Sequence, residues 1–193
     1  GGFLSSMDQP AEVSVLEQGP LFVKVAVKGK IGKYSFTQTI RLTQGEPRID
    51  MSVKLDWTGN PRIGEPGIEF RADNPRKAFY DDRYKLLVYL PTQIANQQIY
   101  KDAPFDVCES RLENTFFNRW DSIKHNIILN WVDVASKDNS CGLSLFTDHT
   151  TSYAHGKDFP LALNVQYAGK GLWGRDYIID RPTEISYALI PHA

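Results

Sequence analysis

Residues 21–57 read LFVKVAVKGKIGKYSFTQTIRLTQGEPRIDMSVKLDW. Leu21, Val23, Val25 and Val27 alternate with Phe22, Lys24 and Ala26. After a polar turn over 28–33, Phe36, Gln38, Ile40 and Leu42 alternate with Ser35, Thr37, Thr39 and Arg41. Gly45, Glu46 and Pro47 turn the chain again. Ile49, Met51, Val53, Leu55 and Trp57 then oppose Asp50, Ser52, Lys54 and Asp56. Successive side chains of a strand point to opposite faces, so this period of two predicts a half-buried antiparallel meander.

The same reading extends outward. Residues 84–91 form a strand with apolar groups on both faces, and 94–100 and 104–109 are shorter candidates. Residues 130–153 form a hairpin, with Trp131, Asp133 and Ala135 alternating against Val132, Val134 and Ser136. A polar turn over 137–140 leads to a second strand carrying Leu143, Leu145 and Phe146. That strand ends in a polar cluster running from Asp148 to Tyr153. Residues 159–167 and 183–190 close the chain as strands. Residues 58–83, rich in proline and glycine, form a long loop, and 111–124 read as loop with Phe116, Phe117 and Trp120. No stretch sustains helical spacing. An all-β antiparallel sandwich of about ten strands follows, taken as one domain over 1–193.

Composition narrows the partners. The 193 residues include 22 Lys and Arg against 23 Asp and Glu, for a net charge of −1. That balance argues against nucleic acid and against an anionic membrane, both of which call for a basic face. No apolar run reaches the roughly 20 residues that span a bilayer as a helix. Cys108 and Cys141 could pair, although two cysteines in a chain of this size are more often buried thiols. No Cys-x-x-Cys or Cys/His cluster is present, so a structural zinc is not expected. The first residues, Gly1 and Gly2, are read as a tag scar or a cut point, and the chain as a piece of a longer one.

Chemistry-bearing candidates are local. Asp133 and Asp148 could be imagined as the two carboxyls of a glycosidase, although solvated strand-face acids are the commoner case. His149 and His155 flank Tyr153, with Asp148 the nearest third ligand for a metal, a weak spacing for such a site. Gly169, Gly171 and Gly174 have dinucleotide-loop spacing but no helix follows, so the stretch reads as a turn holding Trp173. Trp120, Trp131, Tyr153 and Trp173 could stack on sugar rings, against a prior that favours core packing for each aromatic. Trp120 and Trp173 lie in polar, irregular stretches and are the better exposed pair.

The order of short motifs is similar to that of a known family. Gly19-Pro20, Ile40-Arg41-Leu42 and Leu55-Asp56-Trp57 come first, and Lys85-Leu86-Leu87-Val88 runs on to Pro91. Pro104-Phe105 follows, with Glu109 and Arg111. Trp131-Val132-Asp133-Val134, Gly142-Leu143, Asp148 and Tyr153 come next, and Tyr187 to His192 close the series. Together they resemble the C-terminal β-region of the family 38 glycoside hydrolases, the α-mannosidases, from about Gly19 to His192. Asp106 stands where that family usually has glycine, and Ser110 separates Glu109 from Arg111.

The resemblance implies a galactose mutarotase-like supersandwich packed on a separate N-terminal catalytic domain. Zinc and the catalytic carboxylates belong to that missing domain, so this chain carries no cofactor and no catalytic residue of its own. Arg111, Trp120, Asp148, His149, Tyr153 and Trp173 are the candidate sugar-contacting residues, with an α-mannoside as the ligand class. The cluster from Asp148 to Tyr153 is expected at the docking side or cleft mouth, with Trp131 in the core beneath it. Two other readings stand beside this one. The first is an independent carbohydrate-binding module. The second is a free-standing mutarotase-like epimerase or lyase using His149 with Glu109 as an acid/base pair.

Overall fold

The computed structural model describes residues 3–57, 85–110, 123–156, 159–167, 179 and 181–193. The loop expected over 58–83 lies outside these residues. Among them are thirteen strands and one short 3-10 turn, Ser6–Asp8. The chain is all-β and antiparallel, as its periodicity predicts. By internal contacts it divides into two compact units, residues 1–86 with 166–186, and residues 87–165 with 187–193.

The first unit is built on strands β1 (Glu12–Gln18), β2 (Phe22–Ile31), β3 (Tyr34–Thr43) and β4 (Ile49–Asp56), adjacent in that order. Val25 pairs with Ile40, which pairs with Met51, and Phe36 pairs with Leu55, so the apolar positions of the meander share one face. Only Gly32 and Lys33 join β2 to β3. Gly32 has φ 59°, the left-handed conformation that the first position of a II′ hairpin turn demands. Phe36, Val53 and Leu55 are buried. At the end of this face the Tyr34 and Trp57 rings meet edge-on, with centroids 5.0 Å apart. The Trp57 indole N–H donates to Thr183 Oγ1 at 2.8 Å, and that hydroxyl donates to Gln166 Oε1 at 2.9 Å.

The second unit has two sheets. One contains β6 (Gln97–Ala103), β7 (Asp106–Glu109), β9 (Trp131–Ser136), β10 (Gly142–Thr147) and the later residues of β13 (Thr183–His192), in the order β13-β10-β9-β6-β7. The other has the order β5-β12-β11-β8, formed by the later residues of β5 (Lys85–Leu90), by β8 (Ile123–Ile128) and β11 (Thr151–Gly156), and by the earlier residues of β12 (Phe159–Tyr167). Ile99, Val132, Val134, Leu145 and Tyr187 are buried from the first sheet, and Ile128, Tyr153, Leu161 and Leu163 from the second.

Polar side chains tie the two sheets together. Lys101 Nζ on β6 donates to Asn126 Oδ1 and to the Ile127 carbonyl on β8. Burial lowers its pKa, opposed by the nearby Cys108 and Asp102. Where the chain leaves β8 for β9, the buried Asp102 carboxylate accepts from Leu129 N, Asn130 N and Asn130 Nδ2 at 3.0, 2.7 and 3.0 Å. Where it leaves β10 for β11, Thr147 N donates to the Asn130 carbonyl at 2.7 Å, and Thr147 Oγ1 donates to the His149 carbonyl at 2.9 Å. Both crossings between sheets therefore hang on one small hydrogen-bonded hub.

Two differences from the sequence reading are instructive. Strand β8 falls partly in the stretch read as loop. The cluster read as the end of the hairpin's second strand instead splits into a turn and the start of β11. Cys108 and Cys141 are both free thiols.

Candidate functional site

Three polar constellations in the second unit are the candidates for chemistry. The first is the turn between β10 and β11. Asp148 is exposed and His149 half-exposed, and His149 Nδ1 lies 2.5 Å from Asp148 Oδ1. Both side chains are open to solvent on the turn. Tyr153 does not join them. It lies two residues inside β11, at the start of a run of four buried residues, and it is 0% exposed. The expectation of a rim tyrosine is thereby corrected: local polarity suggested a surface cluster, whereas Tyr153 lies in an inner strand buried on both faces. Arg111, Trp120 and Trp173, the other predicted sugar contacts, lie outside the described residues. Trp131, expected in the core, is half-buried.

The second constellation lies on the sheet face opposite the buried valines. Asp133 on β9 pairs across to Ser144 on β10. Its Oδ1 accepts from Ser144 Oγ at 2.6 Å and is 2.8 Å from His192 Nε2 on β13. Gly142, which pairs with both Ala135 and His192, lies beneath the imidazole, and any Cβ there would fall on the ring. The missing side chain is what lets His192 reach across β10 to Asp133. A serine, an aspartate and a histidine thus converge, but in the wrong order for a nucleophilic triad. Asp133 bridges the other two, so no imidazole nitrogen receives the Ser144 proton. This arrangement serves as a cross-strand clamp.

Gly142→Ala is expected to displace His192 and lower stability by about 1 kcal/mol, the scale of one partly exposed charge-assisted contact. Measured by urea unfolding, most of that loss should vanish in a His192→Ala background, because the displaced ring is then already gone.

The third constellation is buried. His155 on β11 is 2% exposed, and its Nε2 is 2.7 Å from Gln97 Oε1 on β6. Since Gln97 Oε1 can only accept, Nε2 carries a proton. Among the described residues its Nδ1 has no partner. Burial pushes the His155 pKa down to about 4. Burial likewise pushes the Tyr153 phenol up to about 12. His155 is therefore unavailable to the His149–Asp148 metal grouping that the sequence allowed. Among the described residues no three His, Cys, Asp or Glu side chains could hold a metal ion.

Sequence reasoning singled out Asp133 but not His192 or Gln97, because each partner comes from a distant strand with no local signature. Asp133 Oδ1 is held by Ser144 and His192, and Asp148 faces His149.

The sequence pattern of the family described as "Glycosyl hydrolases family 38 C-terminal domain" matches residues 4–164. The chain belongs to this family. Solved structures agree on the fold of the glycosyl hydrolase 38 C-terminal domain. An α-mannosidase from Enterococcus faecalis V583 superposes with a TM-score of 0.68 at 12% identity, over 96% of this chain and 22% of that one. A glycosyl hydrolase family 38 protein from Enterococcus faecalis gives 0.65 at 13% identity, over 96% and 23%. A galactose mutarotase related enzyme from Lactobacillus acidophilus aligns with a TM-score of 0.42 at 6% identity, over 95% and 72%. None of the curated proteins matches in sequence. This family 38 domain thus spans less than a quarter of the two glycosyl hydrolase chains whose fold it shares.

Proposed function

We propose that this domain is a non-catalytic β-region of a family 38 α-mannosidase, buttressing the catalytic part of the parent chain and lining the mouth of its active site. The observation that carries this reading is the Asp133 bridge. Among the described residues the one grouping of a serine, an acid and a histidine is wired as a clamp, and the exposed Asp148–His149 pair belongs to no larger cluster of metal-holding groups. A family 38 C-terminal domain whose described residues carry no hydrolytic geometry fits a supporting role. Asp148 and His149 are the described residues placed to contact an α-mannoside at such a mouth. On this reading zinc resides in the catalytic part.

The parent enzyme, the parent lacking residues 1–193 and this chain alone, each assayed on an aryl α-mannoside, test the proposal. Turnover is expected from the intact parent only. Hydrolysis by this chain alone, or full activity of the truncated parent, would sink it.

A further inference from the structure

The turn between β6 and β7 combines two features that ordinary hairpin tips avoid. Ala103 pairs with Asp106, so the loop is Pro104 and Phe105 alone. Proline at the first loop position is favourable, since its ring presets φ near −65°. The second position then takes the left-handed conformation that glycine supplies, yet Phe105 occupies it with φ 67°. The phenyl ring is fully exposed and Val107, two residues on, is largely exposed. The same residue thus bears backbone strain and leaves a large apolar group in water. Strain of this kind persists where the residue has a task that the isolated fold does not reveal.

We infer that Phe105 is an anchor that inserts into an apolar pocket on the catalytic part of the parent chain, with Val107 packing at its margin. The inference rests on the supporting role proposed above and names the element that carries it out. The occupant follows from the size of the relatives: this chain covers 22% and 23% of the family 38 chains that share its fold, so most of such a chain is available to cover the tip. Aromatic anchors seated in desolvated pockets dominate interface energetics, and a ring held out on a two-residue turn is already positioned for insertion.

Hydroxyl-radical footprinting of the intact parent tests this. Phe105 should be labelled about tenfold less in the native parent than in the urea-unfolded one, as for a side chain inside a desolvated pocket. Phe105→Gly should raise the thermal midpoint of this domain, because glycine relieves the turn. In the parent it should loosen the domain and speed proteolytic release of residues 1–193. Labelling of native Phe105 equal to that of the unfolded chain, while other residues of the domain are protected, overturns the anchor and leaves the supporting role intact. If no residue of the domain is protected by the rest of the parent, the supporting role itself fails. Protection that disappears on dilution would point to a second copy of the chain and would also overturn the anchor.

Discussion

Lowering the pH from 7 to 5 is expected to remove about 2 kcal/mol of stability through His155 alone, measured as a shift in urea midpoint. An unfolded histidine takes up a proton near pH 6.5. The folded His155 does not until about pH 4, because burial holds its pKa down. Its contribution is therefore fully present above pH 6.5. It falls as the pH drops through that value, and it is lost by about pH 4, where the total reaches about 3 kcal/mol. The physical event is the entry of charge into a site where Nδ1 has no partner among the described residues and Nε2 already donates to Gln97. His155→Leu should abolish the slope between pH 6.5 and 5. At pH 7 it should lower stability by about 1–2 kcal/mol, because Gln97 Oε1 loses its donor, so that near pH 5 the variant matches or exceeds the wild type. A variant that keeps the wild-type slope would show that His155 is not the titrating group.

The meander of residues 21–57 was legible because apolar residues recur at alternate positions along each of its strands. Alternation then states the register directly, as the Val25–Ile40–Met51 row shows. Strand β11 was not legible. Its sequence, Thr-Ser-Tyr-Ala-His-Gly, carries no apolar alternation. It lies between β8 and β12 in its sheet, and both faces of its second half are buried. A histidine and a tyrosine inside a sheet read as surface residues until a partner such as Gln97, 58 positions away, is seen. His192 was hidden for the same reason, since its partner Asp133 is 59 positions distant. Only the glycine at position 142, required where a ring crosses a strand, is a local trace of that contact.

The site residues divide along the same line. Asp148 and His149 stand out in the sequence because a turn concentrates polar groups in consecutive positions. Phe105 was quoted only as part of a motif. Its meaning depends on φ, and no periodicity reports a backbone angle. Sequence pattern thus located the strands and the turns. The groups that set acid sensitivity, lock the corners and face a partner depend on pairings between strands far apart in the chain.

Asp102→Ala is expected to be the most damaging single substitution, at about 3 kcal/mol. Asp102 lies near the end of β6, just before the Pro104–Phe105 turn, and is 8% exposed. Its two oxygens take the amides of Leu129 and Asn130 and the Asn130 side chain. Those amides lie where the chain passes from one sheet of the second unit to the other, so no strand partner is available to them. Removing the carboxylate strands two backbone donors, each worth about 1–3 kcal/mol when left unpaired. It also frees Asn130, whose carbonyl receives Thr147 N from the neighbouring crossing. Loss at one corner should therefore loosen the other. Hydrogen exchange is the discriminating measurement. In Asp102→Ala the amides of Leu129, Asn130 and Thr147 should exchange faster together, while those of β2 and β3 in the first unit keep their rates. Thr147→Val, which leaves the Asp102 contacts in place, should cost only about 1 kcal/mol. Equal losses from the two substitutions would refute the view that the carboxylate holds the hub and that the threonine hydroxyl only extends it.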